Sequence, residues 1–478
     1  MPMSNLIRRI SIYTFTVAVI LVSGCSGPDP FDDWADRDLA QQVESLSRKT
    51  AGDMGAVSAN READWADDLP DEVELAWYTS AAMHSNPQIL AARQRVERLR
   101  ERIPQATVLP DPMATVTFGE LAQTAAGEVD YIVGVQQSLP FPGTLDARGE
   151  VARQEVVASL HALRAEIDRV VGDVQRSYWS YDGARREAEV LEQNRGLLTQ
   201  IESAVLARVR VGEARQSDLL RVSREVAVME NRISELHRRQ NTSSAMLARL
   251  TSRRAPEDWP RVGSGMWDPI DYDAEGLRRS AMQQNPQVSA AQARVQTYRQ
   301  RLELARQERK PDFMVGVQYG AVSASGLAPS ANGDDQIAGT VGVTIPLWAD
   351  SYDASEREAM RGMGEALAEV RAAQDRVAFD VDEALARIDA NQDSLRRLQE
   401  RMMPEARQII DVALASYRTG DTGFIQLLDD WEALLGDQLE ETRIITELQR
   451  AMADLNQAVS GAAAPTQSAS NNSEPGGS

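Results

Sequence analysis

The stretch that decides the fold is N-P-Q-I-L-A-A-R-Q-R-V from Asn86, because it returns from Asn285 as N-P-Q-V-S-A-A-Q-A-R-V. Each copy is followed, in the same order, by a Pro-Asp pair, two segments of alternating residues, a proline exit and a long helical run that ends at a glycine. The paired landmarks are Pro110-Asp111 and Pro311-Asp312, Leu139-Pro140 and Ile345-Pro346, and Gly212 and Gly420. A period of roughly 200 residues is too long for a solenoid unit and predicts a duplicated half-domain.

Long amphipathic helices are predicted in both halves. Over residues 145–210, apolar side chains recur at spacings of three and four without any proline, which at ~1.5 Å per residue predicts a rod about 100 Å long. The second rod, 352–417, contains Pro404 opposite Gly196, so we expect both rods to bend or restart at the same level. Return helices are expected at about 216–250 and 424–459. Taken alone, such helices are typical of a coiled-coil bundle.

Four strands are predicted, and each has one apolar face and one small or polar face. Their expected bounds are 112–120, 129–139, 312–320 and 335–346. Strands of about 9 to 11 residues suit a tilted crossing of a bilayer. So few strands cannot close a barrel, and open edges are not tolerated in hydrocarbon, so a membrane location requires several chains. The competing interpretation is a soluble sheet covered by the helices.

The N-terminus predicts export. Arg8 and Arg9 precede an apolar stretch, 10–22, and small residues precede Cys25, the only cysteine in the chain. This layout predicts a signal peptide over 1–24, and the small residues before the cysteine resemble a bacterial lipobox, which makes Cys25 the candidate lipidation site. Ser26, by resemblance to lipoprotein sorting rules, favours the outer membrane. The alternative is a chance cysteine after an ordinary signal peptide.

Composition limits the function. The full chain carries a charge of −21, and loss of the two signal-peptide arginines leaves −23, which disfavours nucleic acid as a partner. The only histidines, at positions 84, 161 and 237, are scattered without acidic partners at ligand spacing, so no metal site is predicted. Neither a phosphate-binding glycine loop nor a nucleophile elbow occurs. The sequence therefore predicts a protein that is not an enzyme and uses no cofactor.

The predicted domain organisation follows from the duplication. The expected segments are an N-terminal anchor segment, 25–70; repeat 1, 71–250; a linker, 251–273; repeat 2, 274–460; and a disordered tail, 461–478.

In this order the segments resemble the TolC-like outer-membrane efflux protein family, over about residues 70–460. The resemblance rests on the duplicated order together with the two N-P-Q helices, V-G-V-Q-Q-S-L-P-F-P-G from Val133, V-G-V-T-I-P-L-W from Val341, and Y-R-T-G-D-T-G-F-I-Q-L-L from Tyr417. It implies a mainly α fold with a small membrane β part: a trimeric twelve-stranded β-barrel continued by an α-helical barrel across the periplasm. Members are passive exit ducts, docked through a periplasmic adaptor to an inner-membrane transporter.

The resemblance also implies two functional places. The hairpin turns would form the periplasmic tips that contact the adaptor: Val211, Gly212 and Glu213 in repeat 1, and Thr419, Gly420, Asp421 and Thr422 in repeat 2. The glycines also serve the chain reversal itself. Asp429 and Asp430 are the candidate lining of a narrow, cation-favouring aperture, with solvent-facing charge as the alternative.

Two other protein classes stay open at this point: a periplasmic adaptor, and a structural coiled-coil lipoprotein without a pore. An adaptor would carry a single helical hairpin, whereas here the whole strand–helix unit is repeated. The substrate is also open, although the lipoprotein form and the stretch from Val133 resemble ducts of metal-cation pumps more than those of drug pumps.

Overall fold

The structure is a computed structural model that describes residues 72–118, 123–124, 126–253, 261–262, 267, 269–324 and 332–460. The predicted signal peptide, Cys25, the anchor segment and the C-terminal tail lie outside these residues. Elements are numbered below in chain order.

Repeat 1 consists of a short strand, three short helices, three strands and a helical hairpin. Its elements are β1 Glu72–Val73, α1 Leu75–Ser85, α2 Pro87–Arg100, α3 Arg102–Thr107, β2 Met113–Phe118, β3 Gln123–Thr124, β4 Gly127–Leu139, α4 Thr144–Arg210 and α5 Gln216–Leu250. Repeat 2 follows the same order. The short strand β5 Arg261–Val262, which pairs with β1, lies in the predicted linker. The elements of repeat 2 are α6 Ala274–Gln284, α7 Pro286–Glu308, β6 Phe313–Ser323, β7 Gln336–Val343, α8 Ala349–Arg397, a π-helical turn Leu398–Met402, α9 Met403–Thr419 and α10 Phe424–Val459.

The two long rods differ in continuity. α4 runs through Gly196 as one helix of 67 residues, whereas the second rod is divided by the π-helical turn just before Pro404. Of the bend or restart expected in both rods, a restart is therefore found in the second rod alone. Gly196 keeps the N–H that the helix needs, but proline removes that donor and its ring crowds the preceding turn. The π turn inserts one residue, a known way to absorb such a defect.

The main sheet joins the two repeats. Its order is β2-β4-β6-β7, all antiparallel, with β3 also paired to β4. β4 of repeat 1 pairs with β6 of repeat 2 along eleven positions. Within the part of the chain that the structure describes, β2 and β7 each leave one edge unpaired.

The repeated N-P-Q stretch forms the same clasp twice. Asn86 is 3 % exposed; its Oδ1 accepts from the N–H of Gln88 at 2.9 Å, and its Nδ2 donates to the carbonyl of Leu250 at 2.9 Å. Asn285 likewise accepts from the N–H of Gln287 at 2.8 Å and donates to the carbonyl of Ala458 at 2.8 Å. Each asparagine thus caps the helix that follows it and fastens that helix to the end of the return helix in its own repeat.

We expect Asn86→Ala or Asn285→Ala to lower the free energy of unfolding by about 2–4 kcal/mol, from a lost cap of about 1 kcal/mol and a buried carbonyl left unpaired. Asparagine to aspartate keeps the capping acceptor but removes the donor, so it should not rescue stability. Guanidinium unfolding followed by far-ultraviolet circular dichroism measures the effect, with exposed Gln287→Ala as the control. A change below about 0.5 kcal/mol at both asparagines would exclude the clasp as a source of stability.

An ion-paired aspartate also connects the repeats. Asp454 on α10 accepts from Arg176 of α4 at 2.7 Å and from Arg387 of α8 at 2.6 Å. Nearer the hairpin turns, the two hairpins share one hydrophobic cluster with members on α4, α5, α9 and α10. The two helical hairpins are therefore coupled along much of their length.

Candidate functional site

The sheet has one continuous apolar face, which the pairing register establishes. Residues directly opposite each other on neighbouring strands share a face, and Val116, Val133 and Tyr319 lie in one such row. The exposed apolar positions are Ala114, Val116 and Phe118; Tyr131, Val133 and Val135; Phe313, Val315, Val317 and Tyr319; and Ile337, Val341 and Val343. Val341 is 78 % exposed and Phe118 is 79 % exposed. Such a surface is what a lipid-facing wall requires.

The opposite face of the sheet is small, polar and uncharged. From Ile132 onward it is mostly small or polar: Thr115 and Thr117; Gly134, Gln136 and Ser138; Gly316 and Gln318; and Ala338, Thr340 and Gly342. The same face also carries the larger apolar side chains of Met113, Ile132 and Met314. Above that level a bulge between Val129 and Tyr131 breaks the alternation. Val129, which strict alternation along 129–139 would place on the exposed apolar face with Tyr131 and Val133, is instead buried, as is Val322 opposite it.

The hairpin turns are built around two left-handed glycines. Gly212 has φ +82° and Gly420 has φ +92°, a region that side-chain-bearing residues rarely adopt. After each glycine the next N–H bonds back to a helix carbonyl, Glu213 to Arg208 at 2.9 Å and Asp421 to Ser416 at 2.9 Å. This is a Schellman-type helix end, so both glycines are required for the reversal.

The other predicted tip residues surround these turns. Val211 is 70 % exposed, and the Glu213 carboxylate lies 3.6 Å from the Arg208 guanidinium. Thr419 donates its hydroxyl to the Asp421 carboxylate at 2.6 Å, and Thr422 lies at the end of a groove between α9 and α10. An exposed apolar side chain and two carboxylates are thus presented at the turns.

One contact between the two turns was not predicted from the sequence. Arg208 donates Nη1 to the carbonyl of Tyr417 at 2.8 Å, and its guanidinium lies 4.9 Å from the centroid of the Tyr417 ring. Burial raises the pKa of the Tyr417 hydroxyl. The available signal was positional, since Arg208 lies four residues before Gly212 and Tyr417 lies three before Gly420. The contact fastens the tip of repeat 1 to that of repeat 2.

The two aperture candidates have different surroundings. Asp429 is exposed, whereas Asp430 is half-buried and accepts from Nε2 of Gln426 at 2.8 Å. Asp430 also lines the groove between α9 and α10, about 480 Å³ in volume, which includes the apolar side chains of Ile409 and Val412. Consecutive helical residues project about 100° apart, so the two carboxylates do not share one direction. The more accessible charge belongs to Asp429.

A larger cavity, about 630 Å³, lies between α4, α5 and α10, away from the turns and the sheet. Among its lining residues are four arginines and two glutamates. Two of these arginines are paired locally, Arg238 with Glu235 at 2.5 Å and Arg450 with Glu447 at 2.9 Å. Burial raises the pKa of Glu187 in the same cavity, and Arg239 and Arg443 oppose that shift. The cavity is lined mainly by charged and small polar side chains, and its arginines and glutamates lie close enough to neutralise each other.

Among the described residues, no group of three or more His, Cys, Asp or Glu side chains could hold a metal ion. The described helices include none whose apolar stretch is long enough to cross a membrane.

The model of the outer membrane efflux protein family matches residues 78–253 and 277–461, one segment in each repeat and well over half of the chain. The chain belongs to this family. As an outer membrane efflux protein it is a transport channel and not an enzyme, and the adaptor and pore-less coiled-coil alternatives are set aside because the family match covers both repeats.

Curated relatives and solved structures agree with the family. The chain is 25 % identical over 418 residues to the pyoverdine export outer membrane protein OpmQ of Pseudomonas putida, covering 80 % of this chain and 84 % of the relative. It is 25 % identical over 474 residues to the outer membrane protein OprJ of Pseudomonas aeruginosa, covering 94 % and 96 %. The crystal structure of the outer membrane protein VceC of Vibrio cholerae superposes with a TM-score of 0.67 at 17 % identity, covering 80 % of this chain and 95 % of VceC. The fold is thus that of a TolC-like channel.

Proposed function

We propose that this efflux protein works as a homotrimer in the outer membrane of a Gram-negative-type cell. In this assembly it is the passive exit duct of a tripartite pump, through which substrates delivered by an inner-membrane transporter and a periplasmic adaptor leave the cell. The observation that carries the proposal is the wall formed by β2, β4, β6 and β7, which has one exposed apolar face and one uncharged face of mostly small or polar residues. Among the described residues, β2 and β7 each leave one edge of this wall unpaired. Three such walls give the twelve strands that the family resemblance implies.

The turns are the proposed docking place for the adaptor. They combine exposed Val211 with the polar side chains of Glu213, Thr419, Asp421 and Thr422, on turns whose backbone reverses at the left-handed glycines. The Arg208–Tyr417 contact supports the proposal, because it fastens the two turns to each other as one surface.

Charge reversal at the turns tests the proposed function. Glu213→Arg with Thr422→Arg should reduce efflux by at least about tenfold in cells that supply the cognate adaptor and transporter, since like charge or bulk at a docking surface costs several kcal/mol. The purified variant should still conduct ions. Arg224→Glu, on an exposed part of α5 away from the turns, is the matched control. Undiminished efflux in the double variant would exclude these turns as the docking site.

Lipid anchoring at Cys25 is the second part of the proposal, supported by the lipobox-like residues before the only cysteine in the chain. Cys25→Ser should abolish incorporation of labelled palmitate and displace the protein from the outer membrane. Equal labelling of variant and wild type would refute the anchor.

In this proposal the inner-membrane transporter, and not the channel wall, selects the substrate. The polar face of the sheet has no charged side chain below the bulge and offers every copy the same hydroxyl, amide and backbone groups. That surface suits solutes of many kinds, and it gives no added support to the preference for metal cations over drugs that the sequence favoured. The relative OpmQ is described as a pyoverdine export protein, and that description concerns OpmQ and not this chain.

A further inference from the structure

The cavity between α4, α5 and α10 is a feature that a channel function leaves unexplained. It has a volume of about 630 Å³, within the range of pockets that bind small organic molecules. We propose that this cavity binds an organic anion with two or more carboxylate or phosphate groups, held between Arg239 of α5 and Arg443 of α10. All of its lining residues belong to one chain, so the site does not depend on the proposed assembly of several copies.

The lining of the cavity has an excess of positive charge. Four arginines and two glutamates leave two positive charges, in a chain whose net charge is −21. Two of the arginines are engaged at close range, Arg238 by Glu235 at 2.5 Å and Arg450 by Glu447 at 2.9 Å. Neutralisation within the lining is therefore incomplete, and the other two arginines are the ones available to a ligand.

The two available arginines have only long contacts to carboxylates. Arg239 lies 3.5 Å from Glu235, and Arg443 lies 3.6 Å from Glu440. Both glutamates lie outside the lining of the cavity, with 43 % and 52 % of their side chains exposed, so water and salt weaken their attraction. A carboxylate or phosphate oxygen inside the cavity would make a shorter, charge-assisted hydrogen bond with each guanidinium.

Glu187 of α4 lies in the field of both arginines. Burial raises the pKa of its carboxyl group, and Arg239 and Arg443 oppose that shift, so both guanidinium charges act on the same part of the cavity. Within the described part of the chain, Glu187 forms no ion pair with either arginine. Because an arginine carries five N–H donors, each of these two keeps donors for a ligand.

The floor of the cavity supplies space and a neutral hydrogen-bonding group. Gly183 and Ala184 of α4 are small and buried, and an added Cβ at Gly183 would lie 2.4 Å from Oγ1 of Thr446. This close approach fixes the spacing of α4 and α10 beneath the arginines. Ser243 of α5 is half-buried, and its hydroxyl bonds to no residue that the structure describes. That hydroxyl is therefore available to an oxygen of the ligand.

A ligand with two acidic groups suits the cavity better than a ligand with one. Arg239 and Arg443 belong to different helices, and each of these helices packs on α4. Two acidic groups on one molecule can reach both guanidiniums, whereas a single carboxylate reaches one. The bound anion would then tie α5 of repeat 1 to α10 of repeat 2 across α4.

Calorimetric titration of the purified full chain in mild detergent tests the site, at an ionic strength held constant with sodium chloride. We expect citrate and fructose 1,6-bisphosphate to bind at one site per chain, and acetate and fructose not to bind. The relative affinity of the two anions shows whether the site prefers carboxylate or phosphate groups. Saturable binding of neither anion would overturn the proposal.

Substitution of the two arginines tests where the anion binds. Arg239→Gln combined with Arg443→Gln should weaken citrate binding at least about tenfold, because charge-assisted hydrogen bonds are lost on both walls of the cavity. Both side chains are exposed, so the fold should be retained, which far-ultraviolet circular dichroism checks. Arg224→Gln, at an exposed arginine elsewhere on α5, is the matched control and should bind citrate like the wild type. Unchanged affinity in the double variant, or an equal loss in the control, would overturn the assignment to this cavity.

The resident carboxylate gives a test of opposite sign. Glu187→Gln removes a negative charge beside the ligand and keeps the shape of the side chain, so citrate should bind about threefold more tightly or better. A purely structural role of the arginines would not produce this gain. Should the double arginine variant fail to fold, Glu187→Gln decides alone, and unchanged or weaker citrate binding in that variant would overturn the proposal.

Discussion

Val341→Arg should nearly abolish assembled protein in the outer membrane. Val341 lies in a central row of the exposed apolar face, opposite Val315 on β6. An arginine at the middle of a bilayer costs a barrel strand about 2–4 kcal/mol, and a three-copy assembly carries the cost three times. The measurement is the amount of assembled protein in outer-membrane fractions relative to total protein.

The matched control for this substitution is the adjacent Thr340→Arg, on the polar face of the same strand. It should assemble near the wild-type level and change conductance instead. Gly316→Arg is a poorer control, because a Cβ there would come within 3.1 Å of Gln136 and 3.2 Å of the Val135 carbonyl. Equal losses at Val341 and Thr340 would contradict the assignment of the two faces.

Asp429→Asn combined with Asp430→Asn should remove the cation preference of the channel while leaving its assembly unchanged. If the two carboxylates of each copy surround a narrow opening, their field raises the local cation concentration by tenfold or more. Asparagine keeps the shape of aspartate; Asp429 is exposed, and an asparagine amide oxygen at position 430 can still accept from Gln426, so stability should change by about 0.5 kcal/mol or less. We therefore expect at least a tenfold fall in the cation-to-anion permeability ratio in planar bilayers, together with loss of block by divalent cations.

The structure refines this expectation. Asp430 already accepts from Gln426, whereas Asp429 is exposed, so Asp429→Asn alone should account for most of the change. Glu440→Gln, an exposed carboxylate farther along α10, is the control. If the double variant keeps its selectivity and its block, the aperture lies elsewhere, and Asp421 and Glu432 become the next candidates.

The sequence predicted the elements whose signals are local. The two faces of each strand follow from alternation of residue type at a period of two. The ends of the long helices follow from Gly212 and Gly420, because glycine readily adopts the left-handed conformation in which a helix ends. The bulge between Val129 and Tyr131 was missed, because an extra residue in one strand leaves the apolar composition unchanged. A bend or restart was expected at Gly196 as well as at Pro404, but the helix is divided at Pro404 and continuous through Gly196, because proline removes a hydrogen-bond donor and glycine does not.

Contacts between residues far apart in the chain could not be predicted from the sequence. The N-P-Q stretch was recognised as a repeat, yet the clasp depends on carbonyls at Leu250 and Ala458, more than 160 residues away. The contact of Arg208 with Tyr417 joins different repeats in the same way. Which of two neighbouring aspartates is exposed also depends on packing between α9 and α10, which helical periodicity alone does not determine.

The central claim is that several copies of this chain close one outer-membrane wall. Native mass spectrometry of the protein released from outer membranes in mild detergent tests it most directly, because it counts the copies without prior cross-linking. The account predicts a mass equal to three copies of the processed chain. A mass equal to a single copy would contradict it, because in the described part of one chain β2 and β7 each leave a sheet edge unpaired.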